Sequence, residues 1–414
     1  MDRIVDVRAY VPLGGQEGGD YHARGANKAS GGAGHWLVDT LIANPMSGYP
    51  EYKAQRTSWG IDALGGLVVE IETASGLIGT GISQGGDAAS FIVEKHLNRF
   101  LIGSDPRDVE RIWDQMYRST MYYGRKGLAL FAISAVDLAL WDLCGKLRDE
   151  PVYLLLGGET KPSLPCYCTG IKPSRYQELG FFGAKMPLPH GPSDGQAGID
   201  TNVALVAAAR EEVGAEFELM LDCYMALSVP YTIALAEALR PYRVGWIEEP
   251  LPPDDYDGHA RIKAACPWQR ITTGEHEWSR YGFRDLIARA NVDLLQPDLS
   301  WVGGVTEAKK IAALAAAHDL PVVPHGSGVF SSHFVMATPN APFQEILAMS
   351  ADGNEIVPLW GDLLQGDPLP ENGVIRPPDR PGWGVELNRA RVRRAMSNAS
   401  EQQADNAGLA ESAS

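Results

Sequence analysis

Seven residues in the second half of the chain have the types and spacing for proton transfer and cation binding: Lys185, Asp222, Glu248, Glu275, Asp298, His325 and Glu345. Each closes a short apolar run, and five of the seven are carboxylates. A carboxylate at the end of an apolar strand is costly unless it is paired or binds a metal. Asp222, Glu248 and Glu275 close three successive runs. Hard oxygen ligands on adjacent strands suit Mg²⁺, with water or substrate oxygens completing an octahedron. Zinc would want His or Cys in that trio. The plain alternative is three unrelated surface carboxylates. Glu249 follows Glu248, but strand alternation turns its side chain the other way, so it stays outside the set. Asp298 and His325 close the next two runs. An Asp that accepts the proton of one imidazole nitrogen fixes the tautomer and raises the basicity of the other, giving a general base near neutrality. A His satisfied structurally at a strand end is the rival reading.

Such groups need a scaffold that aims strand ends at one place. The strands read as Cys166 to Thr169, Gly183 to Met186, Leu219 to Asp222, Val244 to Glu248, Ile271 to Gly274, Val292 to Gln296, Pro321 to Pro324 and Glu345 to Met349. Alanine-rich amphipathic stretches lie between them, such as Asn202 to Val213 and Val305 to Ala317. Eight strands alternating with helices is the arithmetic of an α/β (β/α)8 barrel, whose reactive groups sit at the C-terminal strand ends. An open doubly wound sheet is the competitor, but no GxGxxG follows the first strand. The expected organisation is an α+β domain over 1–126, the barrel over 127–356, a Pro- and Gly-rich segment over 357–395 packing back on the first domain, and a disordered polar tail over 396–414. Residues 1 to about 60 read as loop-rich because of their glycine clusters.

The chain has 414 residues with 45% apolar and 21% charged side chains, enough for a large buried core. Its formal charge of -16 repels phosphate backbones and anionic lipid, which argues against nucleic acid or a membrane surface as a partner. No uninterrupted apolar run reaches membrane-spanning length, and the first residues lack the layout of a signal peptide. Five cysteines without a CxxC pair fit reduced thiols in a cytoplasm. There is no Walker loop and no GxSxG elbow.

The arrangement resembles the enolase superfamily, in its mandelate-racemase-like branch. The resemblance rests on Leu221-Asp222-Cys223, Trp246-Ile247-Glu248-Glu249-Pro250, Thr273-Gly274-Glu275-His276, the Asp298/His325 pair, Gly303-Gly304, and Pro151-Val152-Tyr153-Leu154-Leu155-Leu156-Gly157-Gly158. It spans residues 1 to about 395. It implies an α+β capping domain over a modified (β/α)8 (TIM-like) barrel, one Mg²⁺ per site on Asp222, Glu248 and Glu275, and proton abstraction next to a carboxylate to give a metal-stabilised enediolate.

Within that branch the chain is similar to the rhamnonate-type sugar-acid dehydratases. The matching stretches include Gly19-Asp20-Tyr21-His22, His35-Trp36, Asn44-Pro45-Met46-Ser47, Lys185-Met186-Pro187 and Val323-Pro324-His325-Gly326-Ser327. The branch usually carries Lys-x-Lys on the second strand, whereas Pro187 stands here in place of the second lysine. Racemisation needs a base on each face of the carbon, so its loss favours dehydration with His325 alone. The resemblance further implies that His35 and Arg56 hold the substrate from the capping domain. His276 could bond a substrate hydroxyl, Lys185 lies in the substrate set, and Glu345 would polarise the substrate carboxylate when protonated. Each of the first three has a plain alternative as a surface or packing residue; for Glu345 it is a structural hydrogen-bond acceptor. His22, His190 and His333 are weaker candidates. The expected activity is conversion of an aldonate to its 2-keto-3-deoxy acid. Rhamnonate is the first-choice substrate, with lyxonate, mannonate and gulonate as stereochemical relatives. An epimerase on the same fold and a non-catalytic barrel are the alternatives, and a homo-oligomer is the expected assembly.

Overall fold

The computed structural model describes residues 2–13, 35–53, 64–326 and 328–395. Its first strand, β1 (Ile4–Pro12), falls in the stretch expected to be loop. A register shift between Ile4 and Asp6 sets the inward face at Ile4, Val7, Ala9 and Val11, all buried. β1 pairs antiparallel with β2 (Gly66–Thr73), which pairs antiparallel with β3 (Ile78–Gln84). The last strand, Val392–Arg394, returns to the other edge of β1 and completes a four-stranded sheet.

The helix Leu128–Arg148 lies across this sheet. It can approach β3 closely because Gly79 and Gly81 have no side chains: a Cβ at either would stand 2.2 or 2.1 Å from the carbonyls of Ala139 and Ala135. By length and composition this helix could cross a membrane, contrary to the expectation from the uninterrupted-run count, yet most of its apolar surface is buried inside the protein. Its polar positions tie the parts of the chain together. Asp137 accepts from the Thr306 N–H, Ser134 from the Gly303 N–H, and Asp142 from the Trp383 and Thr80 N–H groups.

The second sheet is parallel and runs β10-β4-β5-β6-β7-β8-β9. The strands are β4 (Leu164–Thr169), β5 (Gly183–Pro187), β6 (Glu218–Asp222), β7 (Ile247–Glu248), β8 (Ile271–Thr273), β9 (Leu294–Leu295) and β10 (Gln344–Leu347). The expected strand Pro321 to Pro324 survives as one parallel bridge, Leu295 to Val322. Hydrogen bonds nonetheless run along it, from the Leu295 N–H to the Pro321 carbonyl at 3.1 Å, the Val323 N–H to the Leu295 carbonyl at 2.9 Å and the His325 N–H to the Pro297 carbonyl at 3.1 Å, while Pro297, Pro321 and Pro324 supply no N–H to complete a regular ladder. β10 extends the sheet at its other edge by pairing with β4. Helices such as Gly195–Val213, Val229–Leu239 and Gly304–Ala316 alternate with the strands and cover the outside. All five cysteines are buried and unpaired.

The barrel interior has two layers. Tyr167, Met220, Trp246, Leu294 and Val323 form one apolar cluster with Phe182 and Phe343 against it. Trp246 stacks on Phe343 at 4° and meets Tyr167 edge-on at 87°. This aromatic plug is the floor on which the polar layer rests.

Candidate active site

Two residues beyond the plug, the inward positions turn polar. Asp222 and Glu248 are register partners at the ends of β6 and β7. Glu275 follows β8 after Gly274, whose φ of 136° suits glycine alone and swings the carboxylate over the mouth. Lys185 on β5 is fully buried beneath them. Its ammonium pairs with Glu248, lies 2.9 Å from Glu345 Oε1 and 3.9 Å from Asp222 Oδ2. The remaining oxygen of Glu248 accepts from Trp246 Nε1 at 3.0 Å and Gln296 Nε2 at 2.5 Å.

Burial raises Asp222 to about 6, and Glu248 and Glu275 each to about 7, with Lys185 pulling the first two back and His325 and His276 the third. Carboxylates driven that far up are short of positive charge, which a divalent cation would supply. The hard-oxygen donor set of Asp222, Glu248 and Glu275 therefore fits Mg²⁺. A second, overlapping group is also compact: one ligand atom each from Glu249, Glu275 and His276 lie within 4.8 Å of one another.

Glu249 corrects an expectation. β7 ends at Glu248, and Glu249 takes a left-handed φ of 43°, so the strand alternation that would turn it away no longer applies. Its side chain is buried, with Oε2 2.8 Å from His276 Nδ1 and Oε1 accepting from the His276 N–H at 3.3 Å. Tyr224 and Met225, just past Asp222, also have positive φ. Strain of this kind collects where geometry is over-determined by function.

Across the mouth, Asp298 Oδ2 is 2.8 Å from His325 Nδ1, and Asp298 Oδ1 accepts from the Ser300 N–H at 2.7 Å. The carboxylate is thus fixed on both oxygens, and the ring is turned so that Nε2 lies 3.5 Å from Glu275 Oε1. Burial disfavours the charged imidazole, but Glu275, then Asp298, raise His325 to about 10. A cation on Glu275 would cancel the larger of these pulls and return the ring toward a working base. Burial likewise opposes charge on His276, while Glu249 and Glu275 raise it to about 9. The Trp301 ring stands 5.3 Å from His325 and 5.5 Å from His276, a shared wall between the two imidazoles.

Of the two readings of Glu345, the geometry favours the structural hydrogen-bond acceptor. Burial would raise it, but Lys185, His325 and the Thr169 hydroxyl hold it down to about 2, so it is ionised. It accepts from the Gly326 N–H at 2.9 Å and so pins the loop after His325. His35 caps the short helix Trp36–Asp39: Nδ1 accepts from the Leu37 N–H at 3.2 Å and Nε2 donates to the Met349 carbonyl at 3.1 Å. Trp36 Nε1 bonds the Ala348 carbonyl beside it, so this segment is latched to the chain just past β10. Arg56 and His22 lie outside the described residues. His190 pairs with Asp194, and His333 is buried between Tyr153 and Trp383. Among the described residues, no hydrogen bond or ion pair joins either to the mouth. Sequence reading also passed over Gln296 and Thr169, which hold Glu248 and Glu345; both sit two residues beyond a plug residue, a signal that period-2 counting could have found.

The family descriptions "Mandelate racemase / muconate lactonizing enzyme, N-terminal domain" and "Enolase C-terminal domain-like" match residues 60–157 and 174–391. The chain is 49% identical over 387 residues to an L-rhamnonate dehydratase of Saccharopolyspora erythraea, covering 93% of this chain and 97% of that one. It is similar in structure to rhamnonate dehydratase from Gibberella zeae complexed with Mg, with a TM-score of 0.91 and 48% identity over 95% of this chain and 97% of that one. A racemase from Streptomyces coelicolor with bound magnesium gives a TM-score of 0.75 at 29% identity, over 94% of this chain and 98% of that one.

Proposed function

For a chain that belongs to the mandelate racemase / muconate lactonizing enzyme family of the enolase superfamily, we propose that the activity is Mg²⁺-dependent dehydration of L-rhamnonate to its 2-keto-3-deoxy acid. One observation carries the reading: His325 is backed by Asp298 at 2.8 Å with Nε2 3.5 Å from Glu275, while Pro187 on β5 offers no lysine as a base for the opposite face.

Asp222, Glu248 and Glu275 would hold the metal. When bound, Mg²⁺ supplies the positive charge that binds the substrate carboxylate and C2 hydroxyl and stabilises the negative charge left by proton loss. His325 Nε2 takes the C2 proton, and Asp298 stabilises the imidazolium that results. The same imidazole returns a proton to the departing C3 hydroxyl, which leaves as water, and the enol becomes the 2-keto acid. One group can reach both positions when proton and hydroxyl leave from the same side, so the elimination is syn. Lys185 offers its ammonium to the substrate carboxylate, and Glu345 steadies the Gly326 turn that carries His325. Arg56 holds the polyhydroxy end from the capping segment, and His35, whose ring nitrogens are engaged by the Leu37 N–H and the Met349 carbonyl, joins it by exchanging one of those bonds for a substrate hydroxyl. The small acid sugar is the partner, and a homo-oligomer is the working form, which sedimentation would test.

The deciding experiment incubates the metal-stripped protein with L-rhamnonate, with and without added Mg²⁺, and follows keto-acid formation. Product with Mg²⁺ and none after chelation supports the reading. C2 exchange in heavy water without keto acid would point to epimerisation instead, and full activity after stripping would end it.

A further inference from the structure

Among the described residues, Glu249 is a buried carboxylate at the mouth that the proposed reaction does not use. It sits in a left-handed conformation, with φ 43°, that is strained for a residue with a Cβ. Its backbone is held there by two hydrogen bonds, Glu249 N–H to the Thr272 carbonyl at 2.9 Å and Met225 N–H to the Glu249 carbonyl at 2.7 Å. The conformation directs both side-chain oxygens at one neighbour: Oε2 to His276 Nδ1 and Oε1 to the His276 N–H.

The His276 ring is enclosed on the remaining sides. Tyr224 meets it edge-on at 90° with centroids 5.9 Å apart, and Trp301 lies 5.5 Å away. With Nδ1 committed to Glu249, the ring turns Nε2 toward the mouth, 3.9 Å from Glu275 Oε1. That is the same oxygen that His325 Nε2 faces at 3.5 Å. The mouth therefore holds two imidazoles, each with a carboxylate 2.8 Å behind Nδ1 and each aimed at one point.

We propose that Glu249 is a positioning residue: it fixes the orientation and tautomer of His276 so that Nε2 meets a hydroxyl of the bound sugar acid. The inference rests on the dehydratase reading for the identity of the substrate. A hydrogen-bonding partner behind an imidazole decides which nitrogen is presented and how firmly, and losing such a partner at a metal site costs activity even though nothing touching the substrate has changed. Because both oxygens of Glu249 are engaged by His276, its compactness with Glu275 is a consequence of holding that ring rather than of binding a cation.

The test compares Glu249→Ala, Glu249→Gln, His276→Asn and the Glu249→Ala/His276→Asn double variant, each checked for wild-type melting behaviour. For L-rhamnonate with Mg²⁺, Glu249→Ala should lower kcat/KM by about 10- to 100-fold, and Glu249→Gln, which keeps an acceptor oxygen, should recover part of it. The double variant should be no worse than His276→Asn alone. Two measurements need no turnover. The downfield Nδ1 proton resonance that His276→Asn removes should also be lost in Glu249→Ala, and Mg²⁺ affinity by calorimetry should stay within about threefold of wild type. Independent, multiplying losses in the double variant would overturn the proposal. So would an unchanged Nδ1 resonance, or a Mg²⁺ affinity that falls more than about tenfold, which would make Glu249 a metal ligand. If the wild type fails to dehydrate rhamnonate, the functional reading falls, while the resonance and the calorimetry still decide the Glu249–His276 pair.

Discussion

Two residues along a strand separate the barrel's floor from its mouth: Tyr167 from Thr169, Met220 from Asp222, Trp246 from Glu248, Leu294 from Gln296, Val323 from His325, and Phe343 from Glu345. That step is about 6.6 Å, and it keeps the side chain pointing into the barrel. Below it the chain buries rings and aliphatic groups against one another, which favours the folded state although the Tyr167 hydroxyl is buried there without a hydrogen-bond partner. Above it the chain buries Lys185, Glu248, Glu275, Asp298 and Glu345, groups that burial penalises. The difference teaches where the two costs meet. The floor's packing holds the strands in register, and register alone delivers Asp222 and Glu248 side by side. Trp246 belongs to both layers: its ring is in the plug and its Nε1 donates to Glu248.

The largest expected effect comes from the mouth. His325→Asn keeps roughly the same shape without a titrating nitrogen, so dehydration and C2 exchange should vanish together, a loss of at least about 100- to 10,000-fold. Asp298→Asn should leave a residual rate, because the imidazole keeps its place with a weaker partner. Persistent C2 exchange in His325→Asn, followed by NMR in heavy water, would mean another group is the base.

The next effect breaks the floor. Trp246→Ala removes a large buried ring and should cost about 3–5 kcal/mol in denaturant unfolding, with activity falling only as the protein unfolds. Trp246→Phe keeps most of the plug but deletes the bond to Glu248. It should cost about 1–3 kcal/mol, and it should weaken Mg²⁺ binding, which a purely apolar role would leave untouched. Equal Mg²⁺ affinity in wild type and Trp246→Phe would separate the two layers completely.

How much of this was legible follows the same divide. Strand-end residues on an alternating pattern could be read directly, which is why Asp222, Glu248, Glu275, Asp298, His325 and Glu345 converge on one face of the structure. The reading failed where the backbone leaves the regular pattern. Glu249 was discarded by an alternation rule that stops applying one residue past β7, because nothing in the sequence announces a left-handed glutamate. The sequence leaves Glu345 open between a protonated carboxyl and a structural acceptor because its partner is three-dimensional: Lys185 lies 160 positions earlier in the chain and meets it only across the barrel. β1 was overlooked although Ile4, Val7, Ala9 and Val11 show half of the alternation; the shift at Asp6 breaks the count, and the glycines that follow suggested loop. The strand Pro321 to Pro324 shrinks to a bridge, since its prolines mark the barrel position but thin the ladder.

The smallest effect tests the electrostatics of the mouth without chemistry. Asp222, Glu248 and Glu275 are raised to about 6, about 7 and about 7. For an acid raised on folding, the folded state keeps a proton that the unfolded chain has already released. Stability from these groups is therefore full below about pH 4 and falls as pH rises to about 7. Glu345 and Glu249 shift the other way, but their gain is complete by the ordinary carboxylate range. His276 and His325, raised to about 9 and about 10, add stability below their unfolded value and lose it only as pH climbs toward those numbers. Mg²⁺ competes with the three retained protons, so its stabilisation should be weak at about pH 5 and stronger at about pH 7.5, by on the order of 1 kcal/mol. Calorimetric melting with and without saturating Mg²⁺ at the two pH values reads this difference directly. Glu248→Gln should shrink it by removing one of the competing protons, whereas a floor substitution such as Met220→Leu should leave it intact. An identical Mg²⁺ shift at both pH values would mean that the cation binds away from these carboxylates, leaving Lys185 as the cation that compensates Asp222 and Glu248.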